Sequence, residues 1–266
     1  MSAQLVVVLL SLLLGIQPIT TDLYLPALPA LTLDLSGSMM QAQLTLTALS
    51  LAFGVSQLFW GPLSDRFGRR PILVWGMSFF TLASVGSTLA STIELLIVWR
   101  VIQGAAMGAA VSSARAIVRD LYGPVEGARA MSKGLTGLGV LACFSGPTGA
   151  ATSYFFGWRA SMACIVIFVL VTTVVLFMRF IETNPHKNPR ALQPRVLAGN
   201  WTIIAKTPAF WAYTALSIAA YSALFTFLAA SAFVFLEVLK VSKLTFGLTM
   251  LAVSLSYISG TFYAAA

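Results

Sequence analysis

Apolar runs separated by short polar breaks fill most of this chain, near residues 4–30, 41–63, 71–92, 94–114, 134–157, 160–178, 208–236 and 244–266. Each approaches the roughly 20 residues that cross a hydrocarbon core at about 1.5 Å per residue. Lipid offers no partner to a bare amide, so a spanning run is a helix or a strand of a closed barrel. The period-2 polar alternation of barrel strands is missing from these runs. The pattern therefore predicts an all-α membrane protein with eight spans.

Composition and charge sharpen this reading. Of 266 residues, 58% are hydrophobic and 9% charged, against roughly 25% charged in soluble domains, which excludes a soluble enzyme. A net charge of +8 would suggest nucleic acid in a soluble protein, but here the cations gather in every second connection. Arg66, Arg69 and Arg70 follow the second span; Arg115, Arg119, Arg129 and Lys133 the fourth; Arg179, Lys187, Arg190, Arg195 and Lys206 the sixth. The opposite face has only Arg159, Lys240 and Lys243. By the positive-inside rule, the N-terminus and the three basic connections are cytoplasmic, and no nucleic-acid partner is expected. The first 16 residues carry no Lys or Arg and no small-residue cleavage pattern follows, so they read as a retained span.

Residues 182–207 are long, polar and Pro-rich and read as a cytoplasmic linker between a six-helix unit, 1–181, and a two-helix unit, 208–266. His186, the sole histidine, is expected as a solvated loop residue, and the glycosylation sequon at Asn200, Trp201 and Thr202 as a chance match. Cys143 and Cys164 fall inside apolar runs and read as small buried side chains. Neither a metal site nor a cofactor is expected.

Three segments carry motifs. The turn after the second span runs Gly61-Pro62-Leu63-Ser64-Asp65-Arg66-Phe67-Gly68-Arg69-Arg70-Pro71; Gly68 suits the sharp reversal and Pro71 the start of the next helix. The fourth span holds Arg100-Val101-Ile102-Gln103-Gly104 and then Gly108, a small-residue face for close packing. The fifth holds Ser145-Gly146-Pro147-Thr148-Gly149. Together they resemble the loop 2-3, helix-4 and antiporter signatures of the major facilitator superfamily, although Ala142 and Ala150 stand where the antiporter pattern has Gly. In the first span, Thr21-Asp22-Leu23-Tyr24-Leu25-Pro26-Ala27-Leu28-Pro29 is similar to the bicyclomycin and chloramphenicol resistance family of drug:proton antiporters.

The resemblance implies a complete six-helix N-terminal bundle plus two helices of the C-terminal bundle, eight of the family's twelve helices, so the chain reads as truncated after helix 8. It implies efflux of small amphipathic antibiotics across a bacterial inner membrane by proton antiport, with drug, proton and lipid bilayer as partners and a monomeric state. It also implies a conformational switch at Gly61, Asp65, Arg66, Gly68, Arg69, Gly146 and Pro147, with Asp65 facing the N-terminus of helix 11 in a complete transporter. An uptake symporter of the same fold, or a remnant that inserts without transporting, stays open.

Asp22 and Arg100 are the charged residues well inside spans, where a charge costs at least roughly 2.5–3.5 kcal/mol. Counting from the span ends puts both about 10–14 Å below the outer surface. At one depth they form a candidate proton-coupling couple, with protonation set by burial and by the distance between them. Tyr24, Met107, Tyr221 and Phe225 are candidate substrate contacts, since aromatic rings and a flexible thioether suit planar, weakly polar drugs. No nucleophile with a base and no paired acids occur within the spans, so an intramembrane enzyme is not expected.

Overall fold

The computed structural model describes residues 1–185 and 187–265, the side chains of 257, 258 and 260–265 excepted. His186 lies outside the described residues. Among those described, every regular element is helical.

Helix α1 (Ala3–Asp22) passes through a 3₁₀ turn (Leu25–Ala27) into α2 (Leu28–Asp34). The break is written in the sequence: Pro26 and Pro29 lack amide hydrogens, so each falls at the start of its own helical segment. Then follow α3 (Met39–Phe67), α4 (Arg69–Thr88), α5 (Ile93–Leu121), α6 (Pro124–Phe156) and α7 (Trp158–Arg179). A linker helix α8 (Pro194–Ala205) leads to α9 (Pro208–Phe233), whose last turn is π-helical (Val234–Val238), and to α10 (Lys243–Ala265). The eight expected spans thus correspond to α1 with α2, α3, α4, α5, α6, α7, α9 and α10.

Two differences from the sequence pattern have physical causes. Helices α5 and α6 extend past the apolar runs, because the polar residues between 115 and 133 are compatible with helix until Gly123 and Pro124 reverse the chain. Helix α8 lies in the linker that composition marks only as polar, its first turn nucleated by Pro194. Six helices among the described residues are long and apolar enough to cross a membrane. Helices α6 and α10 are not among them: Gly134, Gly137, Gly139, Gly146 and Gly149 dilute the hydropathy of α6, and the apolar stretch of α10 is Lys243–Ser256.

Those glycines are used in packing. A Cβ at Gly134 would press on Leu10, and one at Gly137 would overlap Ser11, so α1 lies along α6 at a separation only a small-residue stripe permits. Helices α3 and α4 pack against α5, α7 against α4 and α6, and α10 against α6. The core centres on helix 1, where Leu10, Leu13, Ile16, Leu25, Leu28 and Leu31 are fully buried. Phe79, Leu82, Phe155 and Phe177 on the bundle exterior are exposed, the arrangement expected of helices whose outer faces meet lipid. Helix α9 contacts the rest of the bundle at the 3₁₀ turn and α2, leaving space between it and α3 lower down.

Candidate functional site

The break in helix 1 sends its residues toward three neighbours. At about 100° per residue, Thr20 and Tyr24 share one face, Thr21 and Leu25 a second, and Asp22 a third, nearly opposite the first.

On the first face lies Arg100 of α5, which has no exposed surface. Its guanidinium stacks on the Tyr24 ring, 3.9 Å from the centroid. Nη1 donates to Gln103 Oε1 at 3.0 Å and to the Thr20 carbonyl at 3.4 Å, and Nη2 lies 3.7 Å from Met162 Sδ. Among the described residues Arg100 Nε has no hydrogen-bond partner. Gln103 passes the network to Ser84 of α4 at 2.8 Å, and the Tyr24 hydroxyl meets Thr45 of α3 at 2.7 Å. Arg100 therefore grips helix 1 on both sides of Asp22.

Asp22 itself, half-buried, turns to α6. Thr21 donates to its Oδ1 at 2.9 Å and Ser145 to its Oδ2 at 3.3 Å. Among the described residues no ion pair joins Asp22 to a cation, and the expected couple with Arg100 is not formed. Two residues of helical phase account for this: Arg100 occupies the Thr20 and Tyr24 face, and Asp22 points away from it. The close approach of α6 depends on Gly149, where a Cβ would collide with the Leu23 carbonyl.

The second face opens on a cavity of about 620 Å³ between helix 1, α3 and α9, within the size range of small-molecule sites. Tyr221 and Phe225 form part of its α9 wall, and Thr21, Thr47 and Ser50 line the other side. Ser50 Oγ is buried and, among the described residues, has no hydrogen-bond partner. Of the four candidate substrate contacts, Tyr221 and Phe225 line this space. Tyr24 and Met107 do not: both are at most 1% exposed, packed into the core.

At the basic end the residues of the loop signature form a charge lattice. Gly68 links α3 to α4 at φ +105°, backbone that a residue with a Cβ rarely adopts. Arg69 is 2% exposed; it binds Asp65 at 2.7 Å, Asp120 of α5 at 2.8 Å and Ser64 Oγ at 2.6 Å. Helix α4 has no side-chain cap of its own. Glu182, beyond α7, supplies one, accepting from the amides of Arg69 at 2.8 Å and Arg70 at 3.1 Å; there a carboxylate also meets the positive end of the helix dipole. Asn188 then donates its amide to the Asp65 carbonyl at 2.9 Å, folding the start of the linker over the turn. Arg66 is exposed and stacks on Phe67, and Gly61 faces open space.

Gly146 and Pro147 lie where α6 meets α10. A Cβ at Gly146 would sit 2.7 Å from Met250 Cβ, and one at Gly247 would sit 3.2 Å from Pro147 Cα. Sequence reasoning missed Thr45, Asp120 and Glu182. Of these only Asp120 had a local signal, an acid set among the arginines after the fourth span. Metal-ligand clusters are absent among the described residues.

Comparison with known proteins agrees with this architecture. The chain is 30% identical over 241 residues to the chloramphenicol resistance protein of Pseudomonas aeruginosa, covering 89% of this chain and 56% of that protein. It is 29% identical to the bicyclomycin resistance protein homolog of Haemophilus influenzae (90% and 60% covered) and 30% identical to multidrug resistance protein D of Escherichia coli (89% and 59%). It thus spans somewhat over half the length of these relatives. The crystal structure of the human organic anion transporter MFSD10 superposes with a TM-score of 0.71 at 18% identity, covering 98% of this chain and 72% of that one, a likeness of fold. The Major Facilitator Superfamily description matches residues 10–266. With its apolar spans, buried intramembrane arginine and glycine-hinged basic turn, this multi-pass membrane chain belongs to the major facilitator superfamily, a family of transporters and not of enzymes.

Proposed function

We propose that the chain works in export of small amphipathic drugs, of the chloramphenicol and bicyclomycin kind, across a bacterial inner membrane in exchange for protons. The observation that carries this reading is Asp22, a carboxylate within a span, held by two hydroxyls and, among the described residues, by no cation, one residue from the wall of the aromatic cavity. Both hydroxyls have a second acceptor in their own helix: Thr21 reaches the Gln17 carbonyl at 3.0 Å and Ser145 the Ala142 carbonyl at 2.8 Å. A proton arriving on one oxygen of Asp22 therefore needs only the hydroxyl at that oxygen to turn to its second acceptor, with no backbone movement. Drug binding against Thr21 perturbs the same hydrogen bond, which links occupancy of the cavity to occupancy of the proton site.

Arg100 acts here as a positioning residue that fixes the broken segment through Thr20 and Tyr24. Tyr221 and Phe225 stack on the drug, and the hydroxyl of Thr47 gives it a polar partner. The basic end faces the cytoplasm by the positive-inside rule. There Asp65, Arg66, Gly68 and Arg69 form one part of a conformational switch, with the Gly146 and Pro147 contact to α10 as the other, in a protein that works as a monomer.

Proteoliposomes test the direction of coupling. With an acidic lumen, radiolabelled chloramphenicol should accumulate inside, and a protonophore should abolish the accumulation. Accumulation driven by an acidic exterior would instead identify a symporter, and uptake insensitive to either gradient would remove proton coupling.

A further inference from the structure

Helix α8 is fixed at both ends, yet nothing covers its body. Before it, Glu182 and Asn188 tie the strap to the α3–α4 turn, and Ala191 is buried. After it, Trp211 Nε1 of α9 donates to the carbonyl of Ala205, the last α8 residue, at 2.7 Å. Between these anchors no α8 residue is buried.

Its side chains are sorted by chemistry. On a helical projection Leu197, Trp201 and Ile204 fall within one arc of about 60°, Arg195 and Thr202 fall on the opposite arc, and Val196 and Ile203 lie on the flank between them, beyond Asn200. Trp201 and Ile204 are 43% and 45% exposed. Lys187, Arg190, Arg195 and Lys206 flank or sit on the helix, all exposed, and among the described residues none pairs with a carboxylate. Between Glu182 and Glu237 the sequence has no acid at all, and Glu182 is taken up by the α4 amides. Helices α7 and α9 enter and leave the strap at the same end of the bundle, so α8 runs where spanning helices emerge from lipid.

We propose that α8 is an interfacial helix that lays its Leu197, Trp201 and Ile204 arc into the bilayer surface while its flanking cations bind anionic phospholipid headgroups. An apolar arc with tryptophan and a basic margin matches that boundary. The contact is independent of which molecule the cavity takes, and it anchors the strap that caps α4.

The test uses the 266-residue chain with Cys143→Ser and Cys164→Ser, carrying one environment-sensitive fluorophore at Ile204→Cys or at Thr202→Cys. Each protein is placed in nanodiscs of phosphatidylcholine alone or mixed with phosphatidylglycerol. In the anionic discs, the label at 204 should be shielded from acrylamide and quenched by lipids bearing a nitroxide near the headgroup, whereas the label at 202 stays open to acrylamide. Adding Arg190→Gln and Arg195→Gln should weaken insertion roughly fivefold per cation removed. A 204 label open to acrylamide in both discs would overturn the proposal. So would a label shielded but untouched by lipid quenchers, which would mean protein cover, or one that behaves alike in neutral and anionic discs.

Discussion

A guanidinium without a carboxylate sits at the centre of this bundle. Arg100 is held by a ring face, a side-chain amide and a backbone carbonyl, contacts that use its planar, multi-donor form and that a lysine cannot reproduce. Arg100→Lys should therefore destabilise the protein by roughly 1.5–3 kcal/mol, the worth of one charge-assisted hydrogen bond. Tyr24→Phe, which keeps the ring and loses the hydroxyl with its contacts to Thr45 and Arg100, should cost about 0.5–1.5 kcal/mol. Thermal unfolding in detergent checks the order: if the lysine variant is the more stable of the two, the stack is not what holds helix 1. That Asp22 and Arg100 lie at one level of the bundle was legible in the sequence, because hydropathy marks where each span begins, and Arg100 does reach Thr20 and Tyr24 on either side of Asp22. Their angular placement was not. Which face of helix 1 meets α5 is decided by packing across 80 residues of chain, and no local pattern encodes it.

Elements here are terminated and joined by residues distant in sequence. Gly68 announces the α3–α4 reversal, and the motif was readable as a turn. Its cap was not, because Glu182 lies more than a hundred residues further on, at the head of a stretch that composition marks only as linker. Glu182→Gln keeps the shape and removes the charge from the α4 N-terminus, which should weaken that end by roughly 0.3–1 kcal/mol. Hydrogen exchange at the Arg69 and Arg70 amides should quicken by a few fold while the middle of α4 is unchanged. Equal rates in both proteins would show that the cap is not what protects the turn. Helix α8 escaped the sequence reading for a related reason: the surrounding prolines hid a short amphipathic segment whose first turn one of them starts.

For the molecule as a whole, the all-helical membrane reading survives because lipid leaves the backbone so little choice, and three short motifs were enough to indicate the superfamily. What composition could not supply is the arrangement around the helix 1 break: an arginine stacked on Tyr24, a carboxylate held by two hydroxyls, and a cavity lined by Thr21. The central claim is that Asp22 carries the exchanged proton. The most direct measurement mixes the purified chain with chloramphenicol in weakly buffered detergent solution and reads proton release with a pH indicator, for the wild type and for Asp22→Asn. Drug binding should release protons from the wild type and none from the variant, with binding itself retained. Equal release from both proteins would contradict the account.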